Sequence, residues 1–359
     1  MINIFSDFHH GGLYFSQHLL FEKRLGYKLF RPLGLEWAEE GWWKLHEPYN
    51  FNLDTAKQYL QIKPEYKPMD GTVPLNRVVK ELPTHYEVED LAFGYIQKCI
   101  TLNQFKEMDI DIIIASYAPH IPVYAELIQK YKPKAKLIHQ QGNEWYVDFS
   151  QCKNLLASVL PYIIDLNGQV MYDVNSVFYH QEFSLDLFKP EYSDKKIIRS
   201  FVNTLSTQSL FHQDWIDFLE MEKYLPEYKF ESYGAGCREG VVNEQKELAR
   251  LMRQSKWGFM CKENGDGFGH ILWNFAFCGK PLIIKSHQYK NKLGGLLMID
   301  GETCFDIDKR GIMGVVNSIR NITNDKYDKM CQTIYEIAKK HCNFDEEELI
   351  IRNFLDNLK

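Results

Sequence analysis

Residues 262–283, KENGDGFGHILWNFAFCGKPLI, decide how the chain is read. The apolar run KWGFMC (256–261) ends where this stretch begins. A loop with Gly265, Gly267 and Gly269 follows, then a helical segment from His270 through Cys278, and then the apolar run KPLIIK. That order predicts strand, glycine turn, helix and strand. Glycines let backbone N–H groups approach an anion closely, and a helix N-terminus adds partial positive charge. The turn therefore has the chemistry of a diphosphate cradle, although many glycine turns of this kind bind nothing.

The same rhythm extends outward. IIRSFV (197–202) and KFESYGAG (229–236) predict strands, with helices over 212–224 and EQKELARLMRQS (244–255). The face of the first helix is read from Trp215, Phe218, Leu219 and Tyr224. Amphipathic helices over 325–341 and 345–358 close the chain, the last expected to pack back toward the first domain. Upstream, INIF (2–5), YKLF (27–30), DIDIIIAS (109–116), AKLIHQ (135–140) and MYDVNSVFYH (171–180) predict strands. Helices are expected after Gly11-Gly12, over about 88–107, after YAPHIP (117–122) and over NLLASVLPYII (154–164). Alternation of this kind predicts α/β architecture with two parallel sheets.

The 359 residues suit two domains rather than one core. The segment 183–196 loses periodicity and gains proline and charge, which places the linker there. The expected division is 1–187, 195–342 and a closing helix over 343–359, with an aromatic, proline-rich insertion at about 34–85. A formal charge of −6 disfavours a generic polyanion binder. Eight cysteines without a C-x-x-C pair suit free thiols in a reducing cytosol. The N-terminus lacks a signal-peptide pattern, and no apolar stretch approaches the roughly 20 residues that span a bilayer. A cytoplasmic protein with no integral membrane association is expected.

The stretch 262–283 resembles the donor-site signature of retaining GT-B glycosyltransferases, in particular family 4. That pattern is Glu-Gly-Phe-Gly, an acid eight residues after the first Glu, then small residues and Gly-x-Pro. Here it reads Asp266-Gly267-Phe268-Gly269, then Asn274, Ala276 and Gly279-Lys280-Pro281. DGETCFDID (300–308) and FSLDLFKP (183–190) resemble a later loop of the family and its interdomain linker. The likeness covers about 195–345 and is diffuse before that. It implies two Rossmann-like domains facing across a cleft, and transfer of a hexose from a nucleotide-diphosphate sugar, UDP first, to an acceptor hydroxyl. Asp266 would then contact the sugar, and Asn274 the ribose with one acceptor and one donor group. Gly267, Phe268, Gly269 and His270 would line the donor. Lys262 and Arg199 stand in for the family's basic pair at the leaving diphosphate. Gly11 and Gly12 occupy the place of its sugar-facing glycine loop.

Asp7, His9, His10, His120 and His139 follow or end predicted strands, where ligands sit in open α/β sheets. Asp7, His9, Gly11 and His139 are candidate contacts to sugar or acceptor. His10 and His120 are the first candidates for a general base, which an inverting reaction needs. A retaining reaction needs no protein nucleophile, because the leaving phosphate oxygen can take the proton.

Other chemistries fit less well. Asp109 and Asp111, and Asp306 and Asp308, form D-x-D pairs, but such pairs arise by chance, and no metal or other cofactor is expected. No G-x-S-x-G elbow is present. Acceptors open to such a fold include saccharides, small molecules and hydroxymethylated DNA bases. KYKPKAK (130–136) keeps nucleic acid among them, whereas the lack of a basic amphipathic helix disfavours lipid. A nucleotide-sugar-binding module without catalysis is the alternative of a different class.

Overall fold

The computed structural model describes residues 2–7, 11–33, 78–142, 147–159 and 174–358. It divides into two compact units, 1–183 with 344–359 and 184–343.

Among the described residues, the first unit holds a nine-stranded sheet in the order β3-β4-β5-β2-β1-β6-β7-β8-β9. The strands are β1 Asn3–Ser6, β2 Lys28–Pro32, β3 Val78–Glu81, β4 Tyr86–Asp90, β5 Tyr95–Ile100, β6 Ile112–Ala115, β7 Lys136–Gln141, β8 Asn154–Ala157 and β9 Asn175–Phe178. All neighbours pair in parallel except β4, which is antiparallel to both β3 and β5. Parallel strands covered on both faces need apolar residues at every position, and Ile112–Ala115 supplies them. Phe5 and Ile113 enter one core, with Phe105, Tyr124 and Leu127. Ile4, Ile112, Ile114 and Ile138 enter the other. Ile351, Phe354 and Leu355 of the closing helix Phe344–Asp356 belong to that second core.

Two expectations fail here. The helix read over 88–107 is the hairpin β4–β5 followed by the short helix Leu102–Glu107. Val88, Asp90, Gln97 and Cys99 are buried and Glu89 and Ile96 are exposed, a period of two that the window blurred. Gly94, at φ 70°, takes the turn between the two strands. The segment NLLA, read as the start of a helix, is strand β8 between β7 and β9. A short, fully apolar run carries no period that separates the two structures. The first sheet is thus mixed rather than parallel. Asp111 belongs to its scaffold, since its carboxylate accepts from Asn3 N at 2.8 Å.

The second unit is a five-stranded, wholly parallel sheet in the order β11-β10-β12-β13-β14. The strands are β10 Ile197–Ser200, β11 Lys229–Ser232, β12 Trp257–Phe259, β13 Leu282–Ile284 and β14 Cys304–Asp306. Helices His212–Tyr224 and Gln245–Arg253 make the first crossovers, and helix His270–Phe277 follows β12. Its end explains the Gly-Lys-Pro at 279–281. Gly279, at φ 64°, donates to Ala276 O and Lys280 to Phe275 O, both at 2.9 Å, which is a Schellman stop before a proline. Among the parallel strands the order reverses between β1 and β6 in the first sheet and between β10 and β12 in the second. Crevices at such reversals, beyond the strand C-termini, are where open α/β sheets take ligands.

Candidate functional site

The loop after β12 lies at the reversal point of the second sheet. Asn264 and Gly265 both have positive φ, 65° and 60°, and turn the chain sharply back. A Cβ on Gly265 would stand 2.4 Å from Gln288 O, so no other residue fits that close approach. Gly269, at φ 79°, opens helix His270–Phe277 without a side-chain cap. The N-cap residue thus brings no side chain of its own to the helix start, and a helix N-terminus is the electropositive end an anion uses. Lys262 and Asp266 form an ion pair across the loop, both partly exposed. Phe268 is buried and stacks on Trp273 at 6.1 Å, and His270 meets its edge at 4.8 Å. The Phe in this signature thus anchors the loop to the core.

The early amides of the loop are not available to a ligand. Lys262 N donates to Gln288 Oε1 at 2.7 Å, Glu263 N to Asp214 Oδ2 at 2.9 Å, and Gly265 N to Lys262 O at 2.8 Å. Behind them lies a buried polar cluster absent from the sequence reading. Lys285 Nζ lies 2.7 Å from Asp214 Oδ1 and 2.6 Å from Asp217 Oδ2, and Gln288 Nε2 donates to Asp214 Oδ1 at 2.9 Å. Burial works against the Lys285 ammonium, but its hydrogen bonds to Asp214 and Asp217 outweigh that and raise its pKa. The signal was present in sequence. The inward face of helix His212–Tyr224 is Asp214, Asp217, Phe218 and Met221, two acids at core spacing, rather than the face expected from Trp215 and Tyr224.

Asn274 sits one turn into helix His270–Phe277 and is 4% exposed. Its Oδ1 is buried with no hydrogen-bond partner among the described residues. A buried acceptor left unpaired costs free energy, and a ligand hydroxyl would remove that cost. Arg199 lies elsewhere. It is in the middle of β10, buried, with Nε on Glu231 Oε2 at 2.5 Å and one terminal nitrogen on Leu251 O at 2.6 Å and Ser255 Oγ at 3.3 Å. A guanidinium so occupied is scaffold, not a free cation for a diphosphate. Asp306 caps helix Ile307–Asn321 and Asp308 pairs with His287 at 2.7 Å, so this D-x-D is also internally employed.

In the first unit the reversal point gathers Asp7, Ser116, His120 and His139. Asp7 and His120 are each 1% exposed. Asp7 accepts from Ser116 N, at 3.0 Å to each oxygen, and from Ser116 Oγ. His139 Nδ1 lies 2.8 Å from Ala115 O, and burial pushes its pKa down to about 4, so the ring is neutral near pH 7. Gly11 and Gly12 start the helix Gly11–Gln17, which continues as a π-helix over His18–Arg24. His9 and His10 lie outside the described residues, as does most of the insertion at 34–85. The candidates thus fall into two groups, Lys262 to Asn274 in one unit and Asp7, His120 and His139 in the other.

Solved structures share this architecture end to end. Anabaena HepE, crystallised with UDP, is 13% identical, with a TM-score of 0.56 over 100% of both chains. The pneumococcal O-GlcNAc transferase GtfA, with UDP and GlcNAc, is 12% identical, with a TM-score of 0.59 over 99% of this chain and 98% of that one. An alpha-glucosyltransferase bound to UDP-glucose and DNA containing an abasic site is 11% identical, with a TM-score of 0.57 over 98% of both chains. The fold is therefore that of the GT-B glycosyltransferases, two Rossmann-like domains in one chain. No protein-family model and no curated protein matches the sequence.

Proposed function

We propose that the protein is a glycosyltransferase that moves a hexose from UDP-hexose to an acceptor hydroxyl with retention, without metal or organic cofactor, in the cytoplasm. The observation that carries this reading is the loop 262–269. It combines a helix N-terminus opened by a glycine with a lysine and a carboxylate side by side, and the helix it opens carries an unpaired buried amide oxygen at Asn274. In this reading the helix end and Lys262 offset charge on the leaving diphosphate, Asp266 contacts the sugar, and Asn274 takes the ribose. Arg199 has no part in it. The UDP and UDP-sugar complexes of proteins with this fold support the choice of donor.

The acceptor reading favoured first is a saccharide or small molecule. A modified DNA base is the second, supported by the DNA complex of a protein with the same fold. The test is to incubate the protein with UDP-glucose and, separately, oligosaccharides, plain DNA and hydroxymethyl-base DNA, following mass gain and UDP release. Mass gain on oligosaccharide alone removes the DNA reading, and gain on hydroxymethyl DNA alone reverses the preference. Saturable UDP-glucose binding with no UDP release under any condition would leave a binding module and end the enzymatic reading.

A further inference from the structure

We infer that Asp214 and Gln288 are positioning residues for the donor loop, with Lys285 and Asp217 as the charge partners that hold them in place. They act on the ligand only by fixing the backbone that meets it. The inference rests on the donor reading of loop 262–269 and assigns that site a second layer.

The geometry has three parts. First, two consecutive peptide N–H groups leaving β12, those of Lys262 and Glu263, are each taken by a side chain from a different element. Gln288 comes from the 3₁₀ turn Ser286–Tyr289 after β13, and Asp214 from helix His212–Tyr224 after β10. Two adjacent peptides fixed from two sides cannot rotate independently, so the direction of the chain toward Asn264 is set. Second, the two clamping groups are themselves tied together. Asp214 uses Oδ2 for the loop and Oδ1 for Gln288 Nε2 and Lys285 Nζ, while Gln288 uses its oxygen for the loop and its nitrogen for Asp214. Third, the backbone closes on the same place, since Gln288 O occupies the space a Cβ on Gly265 would need.

A buried carboxylate pair around one lysine is an expensive way to stabilise a fold, because desolvation largely cancels the attraction. Specifying one loop conformation is a use that such a cluster serves better. Hydrogen bonds to charged groups hold direction, and a small residual freedom here would move the Lys262 ammonium and the Asp266 carboxylate together.

The experiment uses the full chain and the variants Gln288→Met, which keeps side-chain length, and Asp214→Asn. Two readouts are taken: hydrogen exchange of the Lys262 and Glu263 amides, and UDP affinity by calorimetry. In the native protein both amides exchange slowly. In Gln288→Met the expected result is about tenfold faster exchange at Lys262 and about tenfold weaker UDP binding, the scale of one lost hydrogen bond. The loss of UDP affinity should exceed what any accompanying fall in Tm accounts for. Exchange and affinity both within twofold of the native values would overturn the inference, as would losses that appear only in proportion to a lowered Tm. If Gln288→Met speeds exchange but the native protein binds no UDP, the clamp stands and the donor reading has failed. Asp214→Asn serves as the second variant, and its effect should concentrate at Glu263.

Discussion

His120 Nδ1 lies 2.7 Å from Asp7 Oδ2, a contact between residues 113 apart that ties the loop after β1 to the helix after β6. Ser116 N and Oγ converge on the same carboxylate. Asp7→Ala leaves Ser116 N, Ser116 Oγ and His120 Nδ1 without the carboxylate on which they converge. The expected loss is about 2–3 kcal/mol of stability in urea unfolding, and Asp7→Asn, which keeps one acceptor, should lose less. A folded Asp7→Asn protein that transfers sugar at the native rate would remove Asp7 from the acceptor side of the reaction.

Asn274 separates a binding role from a structural one. An orphan buried acceptor contributes nothing to folding, so Asn274→Leu should leave Tm unchanged or raise it, since the unpaired group costs about 1–3 kcal/mol. Donor KM should rise at the same time. A fall in Tm with unchanged KM would mean that the amide serves the fold.

Lys262→Ala should lower kcat on the order of 10²-fold, the usual scale for losing an electrostatic stabiliser of a leaving group. Asp266→Ala, which frees the ammonium from its partner, should act on kcat through the lost sugar contact while leaving the melting curve nearly unmoved. Full turnover in a well-folded Asp266→Ala variant would end its catalytic assignment.

Arg199→Ala predicts the opposite pattern. It removes one of the two cations paired with buried Glu231, leaving Lys229 and the Tyr233 hydroxyl, at a cost of about 1–3 kcal/mol with turnover per folded molecule intact. Burial would raise the Glu231 pKa, but its bonds to Lys229 and Arg199 prevail and lower it. A lowered carboxylate pKa means stability that is present above the ordinary carboxylate range and lost as pH falls through the folded value. Arg199→Ala should flatten that acid limb.

His139 adds a second pH term at higher pH. Its folded pKa is about 4, below the ordinary histidine value, so the unfolded chain takes a proton that the native chain refuses. The sign is a loss of stability as pH drops from about 6.5 toward 4, reaching roughly 3 kcal/mol. Urea midpoints from pH 7.5 to 4.5 test it, and His139→Gln should remove that slope.

The stretch 262–283 was legible because glycine, helix start and helix stop are local instructions. The strand-to-helix order of the second unit followed from the same period of apolar residues. What escaped was decided by partners far along the chain. Asp214, Lys285 and Gln288 span 74 residues, and only folding shows that they share one site. Arg199 was misplaced for a related reason: a basic residue near a strand end reads as ligand-facing until its neighbour Glu231 on β11 is known. The hairpin β4–β5 escaped because its alternation is interrupted by exposed Leu91 and the turn at Gly94.

Ile351, Phe354 and Leu355 complete a core begun by Ile4 and Leu29. During synthesis, residues 184–343 emerge whole and can fold while the earlier unit still lacks one side of its interior. That unit must wait, with part of its oily face uncovered, until the ribosome delivers helix Phe344–Asp356. Residues 344–356 thus act as a clasp on a domain whose residues 1–183 are all made before them.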